Sequence, residues 1–344
     1  MKILYAVQAT GNGHISRAME LLPYLENYGK VDLFLSGDNC SLELNAPIAY
    51  RSKGLSLYYN NGGGLDYLKM LRQTSFTRCF REARDLPVEK YDMVINDFEA
   101  ITALACALKK APSVQFGHQA SFQSVNTPRP QKKDVFGEWI LKNYARASHY
   151  IGLHFDRYDE QIFTPVIKRE IRDTEPENHG HITVYLSAFP SASLVPLLNL
   201  VPEAHFHLFS KDVRQTTRKQ NVTLFPVQKE GFDKSLATCN GVITGAGFET
   251  PAEALFLGKK LLTVPIRGQY EQYCNGAALE KIGIPVVMKL DEKFPGIIQQ
   301  WLQTKQTASV DYSMRTASVV EQVFHTYPFG AVPLADWAPE LNFN

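Results

Sequence analysis

The 344-residue chain has no apolar run approaching the length of a membrane span, so nothing in it reads as an integral membrane segment. Its first apolar run, Ile3 to Val7, is too short for a secretory signal and leads straight into a glycine turn. Cysteine is sparse. The five at 40, 79, 106, 239 and 274 form no C-x-x-C pair, and an odd number prevents complete internal pairing; reduced thiols in the cytoplasm are the simpler expectation. Net charge is nearly absent too: at +1 there is no general footprint to neutralise a phosphate backbone, which argues against a nucleic-acid binder. Low-complexity tracts are missing, and 44% hydrophobic with 21% charged residues is a soluble globular composition. The length favours two domains over one.

What is present centres on residues 240 to 283. Val242 and Ile243 end in the turn Thr244-Gly245-Ala246-Gly247, followed by a helical pattern from Thr250 to Leu257 that Gly258 stops. A second buried strand, Leu261 to Val264, a loop, and a helix from Glu271 to Ile282 complete two βα units of a parallel sheet. Backbone N–H groups at the glycine turn, with the following helix N-terminus, suit a diphosphate. Gly245, Ala246, Gly247 and Phe248 are the candidate phosphate contacts. Glu253, one turn into the helix, can accept from a ribose diol, and Gln269, Glu271, Gln272 and Asn275 carry the amides and carboxylates that read sugar hydroxyls.

The run GxGxE…PxEAL…GK…P…QxEQxxNxxxLExxG resembles the donor segment of GT-B glycosyltransferases, MurG and glycosyltransferase family 28 in particular. Gly11-Asn12-Gly13-His14 is similar to that family's GxGxH turn. The resemblance implies an α/β fold class: two doubly wound Rossmann-like domains facing a cleft. It also implies inverting transfer of a sugar from a nucleotide diphosphate sugar, such as a UDP-sugar, to a hydroxyl acceptor. No cofactor is expected beyond the co-substrate, and no metal. The chain has no D-x-D, the carboxylate pair that holds a metal on a sugar diphosphate in the other major glycosyltransferase fold; Asp97-Phe98-Glu99 is the nearest imitation and sits in the wrong half.

Strand-like runs at 2–7, 31–35, 55–59, 93–95, 113–116 and 150–153 alternate with helical stretches near 65–86, 100–110 and 135–147. They outline an acceptor-side domain over 1–163. Residues 164–181 read as a linker. Strands at 182–186, 205–209, 222–224, 241–243, 261–264 and 286–288 outline a donor domain over 182–310, and 311–344 is a helix and tail that, by the resemblance, crosses back to the first domain.

Gly11-Asn12-Gly13-His14 lacks the third glycine of a dinucleotide fingerprint, its place being taken by Ser16. His14 stands at the carboxyl end of a strand, where open α/β sheets bind ligands. It can serve as general base or phosphate contact, or simply cap its helix. Asp97 is the alternative base, or an N-cap. Gly13, His118 and Gln119 fall on the acceptor side; His118-Gln119 resembles part of a His-Glu-Gln-Asn motif but continues with Ala120 and Ser121, so acceptor identity does not carry over. His205 and His207 share a strand face, a spacing that can ligate metal, yet no further ligand cluster accompanies them. A nucleotide-sugar 2-epimerase and a non-catalytic nucleotide-sugar-binding protein are the rival readings.

Residues 62–86 combine Leu65, Leu68, Met70, Leu71, Phe76, Cys79, Phe80 and Ala83 with Lys69, Arg72, Arg78, Arg81 and Arg84. The segment is either an ordinary amphipathic domain helix or a peripheral contact with an anionic membrane. A lipid-linked acceptor, as MurG-like enzymes use, goes with the second.

Overall fold

The computed structural model describes residues 1–9, 12–37, 46–54, 75–305 and 310–326, and the chain builds two sheets. In the first, β1 (Lys2–Gln8), β2 (Lys30–Ser36), β3 (Ile48–Ser52), β4 (Met93–Asp97), β5 (Val114–Gly117), β6 (His149–Leu153) and β7 (Ile162–Phe163) lie in the order β3-β2-β1-β4-β5-β6-β7. All these pairs are parallel. The second sheet holds β8 (Ile182–Tyr185), β9 (Phe206–Ser210), β10 (Thr217–Lys219), β11 (Val222–Pro226), β12 (Gly241–Thr244) and β13 (Lys260–Thr263), ordered β10-β11-β9-β8-β12-β13. Only β10 runs antiparallel to its neighbour. The continuous apolar runs of β1 and β12 suit central strands covered on both faces, and both are buried.

In each sheet the strand order reverses beside the first strand, between β1 and β4 and between β8 and β12. Crevices at such switch points, outside the carboxyl ends of the strands, are where doubly wound sheets bind ligands. The helices that leave them are α1 (Asn12–Leu25) after β1 and α8 (Glu249–Phe256) after β12. Between them in sequence come α2 (Phe76–Asp85), α3 (Ala100–Lys109), α4 (Val135–Asn143), α5 (Arg169–Arg172), α6 (Ser191–Leu198) and α7 (Lys229–Thr238); α9 (Tyr270–Lys281), α10 (Phe294–Gln303) and α11 (Thr316–Thr326) follow.

The last of these returns to the first sheet's side. Val319, Val320 and Val323 of α11 are buried in the core cluster that holds Ile15, Ala18 and Leu21 of α1, Phe324 stacks on Tyr28 at 3.8 Å, and Thr316 Oγ1 donates to Glu20 at 3.0 Å.

Several expected elements differ. The strand expected at 55–59, the N-terminal part of the 65–86 helix and Gly11 lie outside the described residues. β3 forms at Ile48–Ser52, where alternation with exposed polar residues hid it, and β10 is exposed along its whole length and so carried no apolar signal. Val286 makes one bridge to Thr263 rather than a strand, because Pro285 beside it has no N–H to extend the ladder.

Candidate active site

Parallel pairing sets Val7 of β1 beside Asp97 of β4, so the end of β4 lies under the first turn of α1. His14 and Arg17 are three residues apart on one helix face, and both reach Asp97. Arg17 grips the carboxylate with two nitrogens, Nε to Oδ2 at 3.1 Å and Nη2 to Oδ1 at 2.7 Å. His14 Nδ1 lies 3.0 Å from Oδ1 and also 3.0 Å from Arg17 Nη2. In the tautomer that donates Nδ1–H to the carboxylate, the stronger of its two partners, Nε2 is the accepting nitrogen. Gly117, with φ +154°, makes room for this cluster: a Cβ there would sit 2.7 Å from Asp97 Oδ1.

Asp97 is fully buried. Burial alone would raise its pKa, but the Arg17 charge and the contact with His14 outweigh it and hold the carboxyl at about 2. It lies in neither cavity wall. The alternative base of the sequence reading therefore lies set back from both cavities, with Arg17 and His14 on its oxygens. His14 does line the cleft.

On the facing sheet, β12 runs into the turn at Gly245 and Gly247. A Cβ at Gly247 would meet no atom within 4 Å, so the backbone there faces open space. No side chain caps the N-terminus of α8, which leaves its first N–H groups to an anion. Phe248 stacks on His118 at 4.1 Å. Ala246 is buried and its carbonyl accepts from Asn275 Nδ2 at 3.0 Å.

Two cavities flank this turn. The larger, about 810 Å³, lies between α1, the 168–170 segment and the second sheet, with Glu20, Lys168, Gln228, Phe232, Asp233 and Glu253 in its wall. Glu253 meets Lys168 Nζ at 3.1 Å, and Lys168 also meets Asp233 at 2.6 Å. Burial, opposed by Lys168, pushes the Glu253 carboxyl up to about 7. The smaller cavity, about 360 Å³, holds Gly13, His14, Gln119, Gln269, Glu271 and Gln272 among its lining residues. Phe98, Ile140, Leu141 and Tyr144 form its apolar wall. Phe98 has φ +55°, a conformation rare for a large side chain. Its ring lies 4.9 Å from that of Tyr144.

Contacts cross the cleft at three levels. Arg17 Nη1 pairs with Glu249 of α8, Gln119 Nε2 donates to Glu271 at 3.0 Å, and His118 Nε2 is 2.8 Å from Asn275 Oδ1. His118 Nδ1 lies 2.9 Å from the Leu153 carbonyl, so both its nitrogens are engaged, and burial pushes its pKa down to about 3. Asn275 is fully buried and outside both cavity walls. Those two residues therefore brace one half against the other, and Asn275, expected to read a sugar, has its side chain on His118 and the Ala246 carbonyl. Gln272 spends its Oε1 on the Ile266 N–H at 2.9 Å. By contrast Gln119 Oε1 and Gln269 Oε1 are buried without a protein partner, which leaves each able to accept from a group outside the protein.

His205 and His207 lie apart from the cleft. His207 stacks on His181 at 3.8 Å and approaches Ser235 Oγ at 3.2 Å, so this face is occupied by packing. Among the described residues no group of three or more His, Cys, Asp or Glu could hold a metal ion. Arg17, Lys168 and Tyr144 had no part in the sequence reading, Phe98 entered only as the middle of Asp97-Phe98-Glu99, and Glu249 only as the acidic residue after the glycine turn. Of the first three, Arg17 alone had a signal there, its spacing of three from His14.

A sequence model described as glycosyl transferase family 1 matches residues 1–304. No curated protein matches the sequence. Among solved structures, Arabidopsis thaliana UGT89C1 complexed with quercetin shares 12% identity, with 94% of this chain and 93% of that one covered at a TM-score of 0.57. The spinosyn forosaminyltransferase SpnP shares 14% over 95% and 99%, at 0.60. Acinetobacter baumannii MurG shares 15% over 94% of each chain, at 0.51. These likenesses are to the two-sheet GT-B architecture.

Proposed function

Because the chain belongs to glycosyl transferase family 1, we propose that it moves a sugar from a nucleotide diphosphate sugar to a hydroxyl acceptor, with inversion and without a metal ion. The observation that carries this reading is the His14–Asp97 pair facing, across one cleft, a glycine turn and an uncapped helix N-terminus. The nucleoside enters the larger cavity, where its ribose diol takes Glu253 over from Lys168. Backbone N–H groups at Gly245 to Phe248 receive the diphosphate, and Gln269, Glu271 and Gln119 meet the sugar. Gln272 lines the same cavity, and its Nε2 can donate to a sugar hydroxyl.

The acceptor lies against Phe98, Ile140, Leu141 and Tyr144. His14 Nε2 takes its hydroxyl proton while the oxygen attacks the anomeric carbon. The bond to the diphosphate oxygen breaks on the opposite face, its electron pair leaving with the diphosphate, so the configuration inverts. Asp97 fixes the ring and stabilises the imidazolium that forms. Amide donors aimed at the developing charge supply the stabilisation a metal would otherwise give.

A thermal-shift screen against nucleotide sugars, then incubation of the stabilising donor with hydroxyl acceptors, tests this reading. The expected result is a glycoside of inverted configuration. Conversion of UDP-GlcNAc without acceptor would replace it with the 2-epimerase reading, and nucleotide binding indifferent to loss of His14 and Asp97, without turnover, with the binding-protein reading.

A lipid-linked acceptor has one observation in its favour. Phe76 and Phe80 of α2 are 64% and 52% exposed, border an apolar groove that runs to Ile101 and Leu104, and stand beside exposed Arg81 and Arg84. Residues 62–74 of the expected membrane segment lie outside the described residues. Among the described residues no helix is long and apolar enough to cross a membrane, so the contact is peripheral. The protein then pellets with anionic vesicles at low salt and is released as salt screens the attraction; no pelleting at low salt assigns a water-soluble acceptor.

A further inference from the structure

The two cavities are separated at one place. Gly13, Tyr185, Glu249 and Thr250 line both of them, and a Cβ built on Gly13 would lie 3.1 Å from Glu249 Cγ. The Glu249 side chain thus fills the gap between the glycine turn of the first half and the start of α8. A donor held at Glu253 in one cavity and at Glu271 in the other must pass its diphosphate through that gap.

Arg17, almost fully buried, faces two acidic side chains, Asp97 and Glu249, so a single guanidinium is set against two groups that carry negative charge when ionised. A diphosphate would add more negative charge. Asp97 is fully buried behind Arg17 and gripped by two of its nitrogens, whereas the Glu249 side chain keeps 17% of its surface in contact with solvent at the cavity edge. Burial raises the Glu249 pKa against the opposing pull of Arg17, which marks this carboxylate as held at a desolvation cost. Glu249 is therefore the member able to leave.

We propose that Glu249 is a stand-in for the donor diphosphate: it closes the Arg17 guanidinium in the empty cleft, and donor binding exchanges its carboxylate for phosphate oxygens. The inference rests on the donor reading above and extends it. Arg17, carried by the acceptor-side half, becomes the cation that meets the leaving diphosphate, while Asp97 keeps the guanidinium in place. Nε and Nη2 stay on Asp97 while Nη1, now on Glu249, turns to a phosphate oxygen, a division of donors that a guanidinium allows. Glu249 then competes only with ligands whose anion must displace it from Arg17, and leaves a ligand that makes no contact with Arg17 unaffected.

The test is calorimetric binding of UDP and of uridine to the wild-type protein and to Glu249→Gln, with Glu249→Ala as a second variant and thermal unfolding to establish that each is folded. The expected result is UDP affinity raised about tenfold in both variants with uridine affinity unchanged, because only the diphosphate competes with the carboxylate. Adding Arg17→Lys to Glu249→Gln should remove most of the gain, since an ammonium has no separate nitrogens with which to hold Asp97 and reach the phosphate together. UDP affinity that is unchanged or lower in folded Glu249 variants overturns the exchange while leaving the donor reading intact, and so does an equal gain for uridine. Failure of every protein to bind UDP and the nucleotide sugars of the screen overturns both.

Discussion

Asp97→Asn changes one oxygen for an amide of nearly the same shape, and it isolates what the carboxylate charge does beneath His14. Against an unperturbed value near 3.9, a carboxyl held at about 2 contributes on the order of 2–3 kcal/mol to stability at neutral pH. Because the folded value is the lower one, that contribution is present above about pH 4 and lost as pH falls through about 2. Removing one partner of a buried pair also leaves the other uncompensated, so at pH 7 the loss should reach about 3–5 kcal/mol. It should shrink toward pH 2, where the wild-type carboxylate is itself protonated. Turnover should fall by about 10² to 10⁴, because His14 loses the group that orients Nδ1–H and stabilises its cation. UDP affinity should stay within about threefold, since Arg17 keeps its charge. Denaturant unfolding at pH 7 and pH 3, saturated turnover and calorimetry with UDP read the three effects separately. A folded variant whose kcat stays within about threefold of wild type would refute the dyad.

Other expectations follow from single contacts. His14→Ala should lower kcat by about 10² or more with donor affinity nearly intact; equal losses in both would make His14 a phosphate contact. Glu253→Gln should weaken UDP binding by about 1–3 kcal/mol. The same change should gain stability relative to wild type between pH 5 and 8, because an acid whose folded pKa is raised to about 7 destabilises the fold as pH climbs through that window; a flat difference in melting temperature across those pH values would contradict the Lys168–Glu253 burial. Gly137→Ala would bring a Cβ to 2.5 Å from Tyr270 Cβ and should cost about 1–3 kcal/mol, read as a lower denaturation midpoint. Activity should survive exhaustive chelation, and a strict requirement for added magnesium or manganese would remove the proposed role of the amides.

Much of the donor half was legible because its signals are local. An apolar run, glycines, a helical period and Gly258, which has φ +66°, announce β12, α8 and the strand after it without help from the rest of the chain. The partners of the charged residues were not legible. Nothing in the sequence says that Lys168 lies on Glu253 or Arg17 on Glu249, since those pairs join residues far apart in the chain. Asp97 illustrates the same limit: its place at a strand end could be read, but its depth depends on Gly117 and Arg17 closing over it. Phe98 gave no sign, because a left-handed backbone at a phenylalanine runs against local preference and is imposed by tertiary packing.

The return of α11 to α1 has a consequence for the order of synthesis. The N-terminal sheet is complete in the chain by Phe163, yet Val319, Val320 and Val323, which finish the core behind α1, are translated near the end of the described chain. At roughly 5–20 residues per second, the helix follows the last strand of that sheet after on the order of 10 to 30 s. In that interval the helix bearing His14 and Arg17 has an uncovered apolar back, and the nascent first half is a candidate for chaperone capture.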